Sequence, residues 1–230
     1  MDTIIISLGG SLIFPDENGP DTSFLNDFRK LILEESDKGK RFIIITGGGH
    51  INRMYNKSLR EIVKPAEPDD ETLDWLGISA TAMNAFFIKC IFEDHAYEEV
   101  MHNPTEKIDT DKRIIIGCGW KPGCSSDKDA VLAAETFKAD TVINLSNIDY
   151  AYTKDPRKHN DAEKIENIDW KEFRKIVGDE WNPKLEGPFD PVAAKHAEKI
   201  GIKVIIAKGT DLDNLKDILQ DKSFKGTIVS

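Results

Sequence analysis

Arg41-Phe42-Ile43-Ile44-Ile45-Thr46-Gly47-Gly48-Gly49-His50-Ile51-Asn52-Arg53 reads as a strand, a glycine turn and the start of a helix. Its apolar run does not alternate, so it cannot be a strand with one wet face. It has to be covered on both sides, as in a parallel sheet between two helix layers. The consecutive glycines are costly in backbone entropy and seldom needed merely to turn a chain. At the carboxyl end of a strand they let backbone N–H groups approach an anion. Arg53 follows one helical turn in, the spacing that aims a guanidinium back toward a ligand at the helix N-terminus. A flexible loop with a surface arginine is the plainer alternative.

The same alternation extends in both directions. Further strands are expected at Thr3–Leu8, Arg113–Gly117, Thr141–Leu145, Lys203–Ala207 and Thr227–Val229. Between them lie amphipathic segments with readable ends. Thr22 or Ser23 can cap a helix whose stripe is Phe24, Leu25, Phe28, Leu31 and Ile32, with Gly39 as its stop. A helix should follow Gly49, a long one should cover about Thr72–Phe92, and another should begin near Asp127. Asp190-Pro191 opens one more, closed by Gly201. The fold class expected is α/β, a three-layer α/β/α sandwich with a mainly parallel central sheet. Lys64–Asp70, Asp155–Asn167 and Trp181–Pro191 read as connections, the last irregular, and residues 1–230 as a single domain.

The chain has 230 residues, enough for a sizeable core. Its 31 Lys plus Arg against 41 Asp plus Glu give a net charge of −10, which argues against a nucleic-acid partner. A small anionic ligand stays open, because backbone amides and a few local cations can hold a phosphate inside an acidic protein. Cys90, Cys118 and Cys124 are too few for a disulfide framework or a four-cysteine metal site. No basic leader precedes Ile4, and no apolar stretch is read as reaching the roughly 20 residues of a membrane helix. A cytoplasmic protein without a membrane partner is expected.

Three more segments could carry chemistry. Ser7-Leu8-Gly9-Gly10-Ser11 is a second glycine-rich strand exit, and two such exits could hold two phosphates facing each other. Gly119 to Asp129 offers hydroxyls, helix N-terminal amides, two lysines and two carboxylates, although Ser125-Ser126-Asp127 alone would serve as a helix cap. Asn144 to Pro156 contains Tyr152, able to lie against a flat base, and Asp155, able to accept from a ribose. Neither glycine cluster spells a Walker loop or G-x-G-x-x-G. Gly117-Cys118-Gly119 starts the latter, but Gly123 comes one residue late, so a Rossmann dehydrogenase is a weak competitor.

The ordered set GGS, GGG-x-x-x-R, D-x-x-G-x-x-A-T, P-G-x-S-S-D, N-x-S-N-x-D-x-x-Y-T-x-D-P and D-P-x-A-A-K resembles the amino-acid kinase superfamily. Within it the archaeal-type uridylate (UMP) kinases match best. The resemblance implies transfer of the ATP γ-phosphoryl group to UMP, with Mg²⁺ accompanying ATP and a homohexameric assembly. It implies an acceptor lobe over about 1–115 and an ATP lobe over about 116–230. Gly9, Gly10 and Ser11 match the loop at the ATP phosphates, Gly48 a UMP contact, and Gly49 and Arg53 positions near the transferred group. Asp74 matches the acid that holds the UMP nucleoside, and Trp120, Lys121, Pro122, Gly123, Cys124, Ser125 and Ser126 match the UMP segment. Ser146, Tyr152 and Asp155 match ATP-binding positions; the resemblance assigns no metal-ligating residue.

The departures fall on charged positions. Ser7 stands where much of the superfamily has a Lys, His50 where a Lys is common after the glycines, and Tyr150 where a Gly is usual. Lys121 is a candidate to supply the missing cation, with Lys195 a further one. Two other readings remain: a kinase of the same superfamily with another small acceptor (an isoprenoid phosphate, a carbamate or an amino acid), and a nucleotide- or oxyanion-binding protein without catalysis.

Overall fold

In the computed structural model, which describes residues 2–180 and 187–230, the all-apolar runs form the middle of one sheet. The strands are β1 (Thr3–Leu8), β2 (Arg41–Thr46), β3 (Ile114–Gly117), β4 (Thr141–Ser146), β5 (Ala151–Tyr152), β6 (Lys164–Ile165), β7 (Asn167–Ile168), β8 (Lys203–Lys208) and β9 (Thr227–Val229). The helices are α1 (Gly10–Ile13), α2 (Thr22–Asp37), α3 (Gly49–Ile62), α4 (Asp70–Phe92), α5 (Ser126–Phe137), α6 (Trp170–Val177), α7 (Pro191–Ile200) and α8 (Leu212–Leu219). The main sheet runs β3-β2-β1-β4-β8-β9-β7. Its first five strands are parallel, β9 is antiparallel to β8, and β7 is parallel to β9. β5 and β6 form a separate two-stranded ribbon.

Each central strand divides its side chains between two cores. Ile4, Ile6 and Leu8 join Phe42, Ile44, Ile114, Ile116, Ile143 and Leu145 on one face, beneath α2, α4 and α8. Ile5, Ile43, Ile45, Ile115 and Val142 face the other way, onto α5, α6 and α7. A fully buried Ile contributes about 1.5–3 kcal/mol, so both faces drive folding and neither face alone sets the register. The polar residues at the strand ends do that. Ser7 and Asn144, paired across β1 and β4, lie two residues on from Ile5 and Val142 and so share their face. Thr46 follows Ile44 onto α4, where its hydroxyl donates to the Thr81 carbonyl at 2.9 Å. A one-residue slip would turn all three away from their partners.

Several boundaries differ from the sequence reading. Asp21, rather than Thr22 or Ser23, caps α2 by accepting from the Phe24 N–H. α4 starts two residues early because Asp69 accepts from the Thr72 N–H. α1, α6, α8 and the two-residue strands are absent from the sequence reading; all are short, and α6 and α8 start at Asp169 and Asp211, which accept from Glu172 N and Asn214 N. Most of the Trp181–Pro191 connection lies outside the described residues. The expectation that no stretch reaches membrane length fails for Asp70–His95, which is long and apolar enough to cross a bilayer by length and composition. Its apolarity has another use, because Leu73, Ala85, Ile88 and Phe92 are buried against the sheet.

One carboxylate is locked under α2. Glu35 is fully buried, meeting Lys38 Nζ at 2.7 Å, Gln220 Nε2 at 2.8 Å and Lys40 Nζ at 3.3 Å. Burial alone would raise its pKa, but the bonds from Lys38, Gln220 and Lys40 prevail and hold it down at about 2. Its contribution is therefore present above the ordinary value of 4.5 and lost as pH falls toward about 2. Glu35→Gln should cost about 1–3 kcal/mol of stability in chemical denaturation at pH 7. The gap to wild type should narrow below pH 4.5; a gap independent of pH would contradict the assignment.

Candidate functional site

The strand order places a topological switch between β1 and β4. From β1 the chain adds β2 and β3 to one side, then returns through α5 to add β4 and β8 on the other. The connections on the two sides cover opposite faces, which leaves a crevice at the carboxyl ends of β1 and β4, the usual place for a ligand in such a sheet. The loops after β1, β2, β3 and β4 all open there.

The two glycine exits touch each other through their backbones. A Cβ on Gly10 would lie 2.1 Å from Gly49 N and 2.5 Å from Gly47 C. One on Gly47 would lie 2.5 Å from Gly10 N, and one on Gly49 2.3 Å from Gly10 O. Gly49 also adopts φ +65°, which disfavours a side chain. Gly9 joins the set from the β4 side, donating its N–H to Leu145 O at 2.9 Å. Asn84 on α4 donates to Gly47 O at 2.8 Å and Gly48 O at 3.2 Å, turning those carbonyls toward α4. Ser11 lies in the short α1 that follows, and Arg53, in the second turn of α3, donates to Pro15 O at 3.4 Å. His50 stacks on Phe14, with ring centroids 6.4 Å apart, and its N–H bonds to Phe14 O. The structure thus brings Gly9, Gly10, Ser11, Gly48, Gly49 and Arg53 to one place.

The loop from Trp120 to Ser125 forms the next wall. Asp74 on α4 accepts from Gly123 N at 2.7 Å, joining two positions 49 residues apart. Asp190, which heads α7, accepts from Ser125 N at 2.5 Å. Asp129 in α5 accepts from Trp120 N at 3.3 Å. Pro122 lies between these anchors, Cys124 Sγ approaches Lys121 O, and Ser125 caps α5 by accepting from Asp127 N. Ser126 opens that helix. Lys121 Nζ lies 3.8 Å over the Trp120 ring, so its ammonium is engaged on its own loop and not at Ser7.

Ser7 has a different partner. Its hydroxyl donates to Asp127 Oδ1 at 2.8 Å, and Asn144 Nδ2 approaches the same oxygen at 3.3 Å. Desolvation, reinforced by Asp190, raises the Asp127 pKa to about 6; Asp129 is pushed up to about 8, again chiefly by desolvation. Burial likewise pushes the Cys118 and Cys124 thiols up to about 12, so both are neutral. Sequence reasoning placed Asp129 among the carboxylates of the Gly119–Asp129 segment and Asp190 at a helix start, and named neither as a site residue; their hold on Trp120 N and Ser125 N had no local signal.

The positions after β4 are arranged more loosely. Ser146 Oγ accepts from Ile148 N at 3.4 Å, and half-buried Tyr152 lies on the β5–β6 ribbon. Asp155 bonds Arg157, whose guanidinium holds its carboxyl at about 2. Lys195 lies in α7. A cleft of about 390 Å³ elsewhere, lined in part by Asp2, Thr3, Lys138, Asp140, Lys203 and Asp221, is at the opposite ends of β1, β4 and β8 and shares none of these residues.

The amino acid kinase family profile matches residues 2–208. A uridylate kinase of Methanospirillum hungatei is 31% identical over 100% of this chain and 95% of its own length. One of Thermoplasma volcanium is 34% identical over 96% and 94%. The crystal structure of a uridylate kinase from Archaeoglobus fulgidus superposes with a TM-score of 0.81 at 28% identity, covering 99% of both chains.

The contact between the glycine loops makes one outcome definite. Gly47→Ala should destabilise the fold by about 1–3 kcal/mol in a denaturation titration, because a methyl must displace backbone. Gly39→Ala, at an open turn where a Cβ meets nothing within 4 Å, carries φ strain but no clash and should cost less. Equal costs would show that the loops can part freely.

Proposed function

Because the chain belongs to the amino acid kinase family, we propose that it is a uridylate kinase, carrying the terminal phosphoryl group of ATP to the phosphate of UMP and releasing ADP and UDP. The full-length relatives named uridylate kinase support this reading. The observation that carries it is the meeting of two glycine-lined strand exits at the switch point, with a polar loop tied to α4 beside them.

In the proposed mechanism Gly9, Gly10 and Ser11 receive the ATP phosphates, Gly48 the UMP phosphate, and Gly49 and Arg53 the group in transit. Asp74 and the Trp120–Ser126 loop, including Lys121, Pro122, Gly123, Cys124 and Ser125, receive the nucleoside of UMP. Ser146, Tyr152 and Asp155 receive that of ATP. The acceptor oxygen is already ionised, so no general base is required. It bonds to the γ-phosphorus as the bond to the ADP oxygen breaks, in line and without a covalent enzyme intermediate. Arg53 and the loop amides stabilise charge on the moving group, with Lys121 a further cation. Among the described residues no three His, Cys, Asp or Glu side chains gather as a metal cage. Mg²⁺ bound with ATP would neutralise phosphate charge beside the Gly9–Ser11 loop. An acceptor lobe over about 1–115 and an ATP lobe over about 116–230 belong to this reading, and one of the two cores, which includes Ile6, Ile143 and Ile205, spans both.

Assembly belongs to the same reading. α3 has no buried residue, and Met54, Tyr55 and Ile62 on it join Trp75, Met83, Phe86 and Phe87 on α4 as exposed apolar side chains. Burial of that face between copies fits a homo-oligomer, the hexamer being the finer form of the proposal. A cytoplasmic setting accompanies it.

An ADP-release assay over a panel of acceptors tests the reaction. Turnover should be greatest with UMP; turnover only with a non-nucleotide acceptor, or binding without turnover, would overturn it. Arg53→Ala should lower kcat by about 100-fold with little change in melting temperature. Asp74→Asn should raise KM for UMP by about tenfold while KM for ATP stays within about twofold. Equal damage to both would contradict the placement of Asp74.

A further inference from the structure

The loop from Trp120 to Ser125 hangs on carboxylates through its backbone N–H groups, and each carboxylate comes from a different helix: Asp74 from α4, Asp129 from α5 and Asp190 from the head of α7. Asp190 is itself fixed, since its other oxygen accepts from Ala193 N and its own N–H points to Asp127 Oδ2 at 3.3 Å. Asp129 is the unusual member. It is 2% exposed, its Oδ2 holds Trp120 N, and its Oδ1 is buried with no hydrogen-bond partner.

We propose, on the reading that this loop receives UMP, that Asp129 is a positioning residue which sets the entry of the acceptor loop at Trp120 and does so as the neutral acid. Three features support this. A buried carboxylate oxygen without a donor is costly as an anion and far less so when the group is protonated. The groups around it are Asp127 and Lys128 on α5, Cys118 after β3, Cys124 on the loop and Asp190 on α7. Lys128 is the only cation among these; both thiols are neutral and two neighbours are acids. Burial therefore dominates and raises Asp129 to about 8. Ionising it places a charge beside Asp127 and Asp190 and loosens the end of the loop that carries Trp120 and Lys121. Asp129 touches no reacting atom, so its effect falls on acceptor binding.

The test uses the full chain with Asp129→Asn and Asp129→Ala. Asn keeps an acceptor for Trp120 N without a titrating group. At pH 7 Asp129→Asn should match wild type in KM for UMP, whereas Asp129→Ala should raise it by about tenfold with KM for ATP unmoved. Between pH 7 and 9 KM for UMP should climb in wild type and stay level in Asp129→Asn. A ligand-free readout runs in parallel. Tryptophan emission should titrate with a midpoint near 8 in wild type, and this step should vanish in Asp129→Asn and in Trp120→Phe. A level wild-type profile, or an Asn variant that behaves like Ala at pH 7, would overturn the proposal. If UMP is not an acceptor, the emission step still decides the role of Asp129, so failure of the substrate reading is distinguishable from failure of this one.

Discussion

The structure depends on two stretches of backbone approaching within van der Waals contact where no side chain fits. Gly10 lies against Gly47 and Gly49 at the carboxyl ends of neighbouring strands, and a methyl at any of these positions meets main-chain atoms. The contact follows from the fold: β1 and β2 are adjacent and parallel in register, so their exits leave side by side. In the proposed mechanism it also shapes the chemistry, because phosphates held by the two exits would lie close to each other. The entropy cost of consecutive glycines thus yields both packing and proximity.

Around that contact the charges are arranged more by hydrogen bonding to backbone than by ion pairs. Ser7, where the wider superfamily often has a lysine, turns its hydroxyl to Asp127. That keeps the base of the crevice polar without adding a cation. Arg53 is tethered at Pro15 O, and Lys121 is laid over Trp120. Both cations are thus engaged with their own surroundings, which in the proposed mechanism increases the demand on the backbone amides of the glycine loops. The net charge of −10 argued against nucleic acid as a partner class but said nothing about this local arrangement.

Much of this was legible beforehand. Phe42 to Ile45 and Ile114 to Ile116 announced a doubly covered parallel sheet because a strand without alternation has no wet face. The glycine runs marked the crevice, because few other roles justify them. Less legible were features that depend on contacts distant in sequence. α6 and α8 are only eight residues each, and their caps at Asp169 and Asp211 went unread; the apolarity of α4 mimicked a membrane helix because one side meets the core and the other is exposed. Asp129 and Asp190 looked like ordinary helix-start acids. Asp129 grips Trp120 N only when the loop folds back on α5, and Asp190 reaches Ser125 N only when α7 packs beside it.

The account stands or falls on whether two phosphates meet over the glycine contact. A crystal structure with UMP and a non-hydrolysable ATP analogue bound together measures that directly. The account predicts the terminal phosphate of the analogue and the phosphate of UMP facing each other between Gly10 and Gly49, within reach of Arg53, with the uridine under the Trp120–Ser126 loop. Either nucleotide bound away from the carboxyl ends of β1 and β2, or the two phosphates on opposite sides of the sheet, would contradict it.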